Sequence, residues 1–153
     1  MPRAPYTEAS LLNWTTFVQV DNTYYGGDQD WLTNAGVSQF YADRSCGVTA
    51  AANALCYIAK SNSTKSKLYN KSSTSYVNFR THMKEVYDYL TLAVWGIPTI
   101  NIMKTRVESF AQSRGVSLKG VLSSSIWTIT NVASYIKTGL NANSPVLKIC
   151  NSF

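Results

Sequence analysis

Apolar residues recur in steps of three and four most clearly along residues 47–60, through Val48, Ala51, Ala52, Leu55, Ile58 and Ala59. Ser45 stands where an N-cap is needed and the stretch is rich in Ala, so the pattern predicts a deeply buried helix. A second helix is predicted over about 76–92, with Phe79, Met83, Val86 and Leu90 on one face. Trp95-Gly96-Ile97-Pro98 breaks it. Thr99 then caps a third helix to Arg114, which carries Met103, Val107 and Phe110 and gives way to Gly115. A short helix over about 130–138, with Val132, Tyr135 and Ile136, stops at Gly139.

The extended segments are fewer. Thr16–Val20 reads as a short strand, Val116–Leu122 as another, and Pro145–Cys150 as a buried one. Tyr24 to Asp28 is a turn, and Ser61–Ser75 is a loop of Ser, Lys, Asn and Thr. Residues 1–45 are otherwise irregular, anchored by Trp14, Phe17, Tyr24, Tyr25, Trp31, Phe40 and Tyr41. There is no internal repeat. The expected architecture is a single α+β domain over 1–153.

Composition supports a packed core. The 153 residues are 45% hydrophobic and only 14% charged, and polarity is carried by 18 Ser, 15 Thr and 12 Asn. That is not the composition of a disordered chain. No apolar run approaches the roughly 18 residues of a membrane span. Met1 to Ser10 holds Arg3 with no apolar run behind it, so these residues do not read as a secretory signal.

Charge is unevenly spread. Residues 1–43 carry a net −4 and residues 44–153 a net +10. The bases are mostly single lysines with no interleaved aromatic repeat, so nucleic acid is not an expected partner. The loop lysines Lys60, Lys65, Lys67 and Lys71 are a candidate surface for an anionic polymer.

Three cysteines and one histidine bound the chemistry. With no CxxC pair a zinc site is not indicated, and no metal or cofactor is implied. Asp28 and Asp30 read as turn solvation rather than a cation site. Cys56 falls inside a helix and Cys150 inside a strand, both as core residues. Cys46 is different: it opens the central helix, with Arg44 two residues ahead. The unpaired amides of a helix start and a nearby guanidinium both favour a thiolate. Its own amide could face a developing oxyanion, and Gly47 would give a substrate carbonyl close access.

Tyr25-Gly-Gly-Asp-Gln-Asp-Trp31, followed by Ser45-Cys-Gly-Val-Thr-Ala-Ala-Ala-Asn53-Ala-Leu-Cys-Tyr-Ile-Ala59, resembles the papain-like cysteine peptidases. The resemblance is to the bacteriocin-leader (double-glycine) peptidase-like proteins of Gram-positive bacteria, and it is tight over about 25–59. It implies a papain-like fold, with the Cys-bearing helix packed against an antiparallel sheet, and Cys46 as nucleophile. It further implies a peptide or protein substrate and an extracellular or cell-surface setting. The family places a side-chain amide ahead of the nucleophile as oxyanion donor; Gln39 has roughly that spacing, and Gln29 is its rival. The signature Cys-Gly-(Ser/Ala)-Cys-(Trp/Tyr) of papain itself is missing.

The general base departs from the family pattern, which brings a His on a later strand. The only histidine is His82, on the edge of the second helix's apolar face, where a structural or solvent-facing role is expected rather than a catalytic one. A thiol without an imidazole is a poor acyl-transfer catalyst at neutral pH. The sequence reading is therefore a peptidase cut short before its catalytic His, its last strand edge left open to a second chain. A catalytically inactive module binding a peptide or an anionic polymer is the alternative.

Overall fold

The computed structural model describes residues 8–90, 96–123 and 128–148. Its centre is the Ala-rich helix. After a four-residue helix α1 (Gln39–Ala42), the helix α2 (Cys46–Ser61) buries Val48, Thr49, Ala51, Ala52, Ala54, Leu55, Cys56, Tyr57 and Ala59. Those residues cover most of its circumference, as in a helix surrounded by other elements. Small Ala side chains allow this, because neighbours can approach the α2 backbone on several sides.

Helix α3 (Tyr76–Leu90) lies on α2 and buries Phe79, His82, Met83, Val86 and Leu90. Burying a ring such as Phe79, at 0% exposure, is worth about 1.5–3 kcal/mol. Helix α4 (Ile100–Ser113) packs on α3 through Met103, Phe110 and Ala111. Thr99 caps it as expected, its hydroxyl accepting from the Ile102 amide at 3.2 Å. At the other end Gly115 takes φ +69°. The Gly115 and Val116 amides then reach back to the carbonyls of Gln112 and Ala111, closing the helix.

The double glycine is a packing device. A Cβ on Gly26 would lie 2.7 Å from Asn53 Nδ2, and one on Gly27 would lie 2.5 Å from Met83 Sδ. With no side chains there, the segment lies on α2 and α3, and the Gly27 amide donates to Asn53 Oδ1 at 2.9 Å. It continues into a 3-10 turn, Gln29–Ala35, whose Asp30 amide is capped by the Asp28 carboxylate. Asp28 thus serves its own turn. Trp31 stacks edge-on against Tyr24, Tyr76 and Phe79.

The β-structure is smaller than predicted. Strands β1 (Gln19–Val20) and β2 (Tyr24–Tyr25) form one antiparallel pair, Gln19 opposite Tyr25 and Val20 opposite Tyr24. Val116–Leu122 is not a strand. Its start is consumed in closing α4, and the Gly120 amide donates to Glu108 Oε1 at 2.8 Å, so backbone groups that a ladder would use are taken by α4. Residues 145–148 are half-buried to exposed and form no strand either, while Ile149 and Cys150 lie outside the described residues. Among the described residues there is accordingly no open C-terminal strand edge for a second chain, and the antiparallel sheet is the single pair β1–β2, an α+β arrangement in which Val20 joins the same core as α2. Ser61–Ser75 is not wholly loop: Ser63–Leu68 winds into a 3-10 turn capped by Asn62.

The last helix, α5 (Ile129–Asn141), runs past Gly139. Asn143 adopts φ +51° and the amides of Asn143 and Ser144 close on Leu140 and Gly139, so the helix ends at Asn141, two residues beyond the glycine. Gly139 instead permits a close approach, because a Cβ there would collide with Val146. No residue of α5 is fully buried. No described helix is long and apolar enough to cross a membrane.

Candidate active site

Cys46 is the first residue of α2 and its thiol is exposed, whereas Cys56, ten residues on, is buried. Burial pushes the Cys56 thiol up to about 12, even with Lys60 opposing, and makes it inert. Cys150 lies outside the described residues. Of the two described thiols, only Cys46 can meet a substrate.

Ser45 does not cap α2. Its hydroxyl turns back to donate to the Tyr41 carbonyl at 2.6 Å. The amides of the first turn are therefore without a side-chain cap, a setting that suits an anion or oxyanion. The guanidinium expected to assist is elsewhere. Arg44 Nη1 donates to the Phe40 carbonyl at 2.7 Å, and its charge sits 3.9 Å above the Phe40 ring.

The two glutamines converge on one residue, and it is not Cys46. Gln39 Nε2 donates to Asp43 Oδ1 at 2.6 Å, and Gln29 Nε2 donates to the Asp43 carbonyl at 3.4 Å. Asp43 is three residues ahead of the thiol. Each amide would have to leave Asp43 before it could hold an oxyanion. Gly47 likewise differs from its expected role. A Cβ there would lie 2.6 Å from Ile97 Cδ1, so its missing side chain makes room for Ile97 rather than for a substrate carbonyl. Gly96, at φ +89°, would place a Cβ 3.0 Å from the Arg44 carbonyl, and together these contacts lay residues 96–97 across the start of α2.

His82 is not near Cys46. It is at 0% exposure, and its Nε2 donates to the Ala52 carbonyl at 3.1 Å. Ala52 is six residues beyond Cys46, about 9 Å along the helix axis. Burial also lowers its pKa to about 4, so at neutral pH it holds no second proton. Of the structural and solvent-facing roles expected of it, burial leaves the structural one.

One feature escaped the sequence. Ala50 and Ala54, one and two turns beyond Cys46, form the floor of an apolar cavity of ≈ 220 Å³, walled by Phe17, Ile136, Leu140 and Val146. Small residues at i+4 and i+8 from the thiol were a readable sign of space, but its walls come from distant segments. Asn53 was also missed; a polar residue inside an Ala-rich helix is the signal that a backbone partner awaits it. Among the four loop lysines, Lys71 is paired with Glu85 at 2.5 Å, which removes it from the proposed polyanion surface.

No family model, curated protein or solved structure matches the chain.

Proposed function

We propose that this chain is the thiol-bearing part of a papain-like cysteine peptidase, with Cys46 as its nucleophile. The observation that carries the reading is the contrast along α2: an exposed thiol at an uncapped helix start, on a helix that buries nine of its sixteen residues. The Cys46 thiol would pass its proton to an imidazole as its sulfur attacks a peptide carbonyl carbon, moving the carbonyl electron pair onto oxygen. The Cys46 amide, unpaired at the helix start, would stabilise that oxyanion, and Gln39 or Gln29 would join on release from Asp43. Collapse expels the amine, which needs a proton. His82 is committed to Ala52, so an imidazole donor for this step would have to come from chain outside these 153 residues. The substrate class is a peptide or protein, met at the cell surface or outside the cell.

The test is acyl transfer in the presence of added imidazole. An activated peptide ester should acylate Cys46 faster than it acylates a free cysteine peptide, giving a mass increment that Cys46→Ala abolishes. Acylation no faster than that of the free peptide would overturn the reading.

The occupied glutamines and the buried histidine favour a second reading, a catalytically inactive module that holds a peptide. Its mark is peptide affinity unchanged in Cys46→Ala with no acyl adduct. Binding of an anionic polymer by Lys60, Lys65 and Lys67 would instead fall steeply with added salt.

A further inference from the structure

His82 is the single histidine of the chain, and it sits where α3 meets the middle of the Cys46-bearing helix. Nε2 is satisfied by the Ala52 carbonyl, but Nδ1 is buried and has no hydrogen-bond partner. The rings of Tyr69, Phe79 and Phe110 stand edge-on around the imidazole, with centroids at 4.8, 5.8 and 6.1 Å. A neutral ring suits this box. A second proton would bury an N–H with no acceptor and a charge with no ion-pair partner, each costly in an apolar interior.

The charged and titratable groups around it do not offset that cost. Glu85, on α3 itself, is the attractive charge, but it is held by Lys71 at 2.5 Å and Arg114 at 2.7 Å. Those two cations, one from the loop before α3 and one from the end of α4, oppose an imidazolium. On α2, Cys56 is one turn beyond Ala52, and burial keeps it protonated and neutral. Burial also raises the Tyr69 hydroxyl, which stays neutral in acid.

We propose that His82 is an acid-released latch: as a neutral ring it clamps α3 to the helix that presents Cys46, and uptake of a second proton frees the two helices from each other. The packed ring takes that proton only near pH 4, whereas an opened one takes it near its ordinary value of 6.5. The opened state therefore binds the proton first. The clamp is complete above about pH 6.5 and is lost as the pH falls towards 4, at up to about tenfold in the opening equilibrium per pH unit for one proton. Glu85 acts later. Burial alone would raise its carboxyl, but the Lys71 and Arg114 bonds outweigh that and hold it below 4.5, so its ion pairs fail only further into acid.

Two measurements on the 153-residue chain decide it. The lone imidazole is followed by NMR from pH 7.5 to 4, and the accessibility of Cys56 is followed with a dithiodipyridine, which reacts with thiols in acid. The ring should stay neutral through pH 6 and take its proton only as α3 and α2 separate. Cys56 labelling should rise by about tenfold per pH unit below 6.5, with Cys46 as the internal reference. His82→Gln keeps an N–H for the Ala52 carbonyl but cannot take the proton, so it should flatten that profile down to about pH 4.5. Titration near 6.5 with the helices intact, or an unchanged profile in His82→Gln, would overturn the latch. If the variant does not fold, the titration of the wild-type ring decides alone.

Discussion

Helices α3 and α5 carry similar amphipathic patterns and have different fates. Along α3 the apolar face closes on α2 and α4, and five side chains are buried. Along α5 the face formed by Val132, Tyr135, Ile136 and Leu140 is half-buried at best, and Ile129 is 91% exposed. The pattern marks a face able to be buried. Whether it is buried depends on what the chain brings opposite, and here α2 meets α3 directly, while α5 faces α2 across an apolar cavity, with Leu140 against the core.

Substitutions can break that comparison, beginning with the largest effect. Phe79→Ala should cost about 3–5 kcal/mol in chemical denaturation, because it empties a site closed by Trp31, Tyr69 and His82. Ile136→Ala on α5 should cost less, about 1–2 kcal/mol, since a partly buried side chain beside a cavity forfeits less buried area. Equal losses would mean that α5 belongs to the core as fully as α3. Next comes Gly27→Ala, expected to lose about 1–3 kcal/mol by forcing a methyl against Met83 and Phe79. The smallest effect is at the caps. Thr99→Ala should lower global stability by about 1 kcal/mol, because α4 unfolds with the core. Thr128→Ala removes the same bond from α5, so it should raise amide exchange in 129–141 while leaving the denaturation midpoint unmoved. A shifted midpoint would show α5 to be coupled to the core after all.

The site was partly legible. Cys46 at a helix start follows from Ser45, the Ala-rich run and local periodicity, all within one segment. The diversion of its neighbours was less visible, although Arg44 to Phe40 and Gln39 to Asp43 are both four-residue pairs that helical geometry brings together. The link from Gln29 to the Asp43 carbonyl spans fourteen residues and has no such local sign. Ile97 over Gly47 is longer range still.

The sequence by itself determined the helices α2, α3 and α4, with the Thr99 cap and the Gly115 stop, because helical hydrogen bonds and caps join residues within a few positions of one another. It also determined that only one imidazole is present. Tertiary structure alone decided that Val116–Leu122 and residues 145–148 form no strands, since a strand exists only if a distant segment offers its backbone groups. It decided too that His82 faces the Ala52 carbonyl and not Cys46. Both lie along α2, but one is at its exposed start and the other in its buried middle, and only packing against α3 chooses between them.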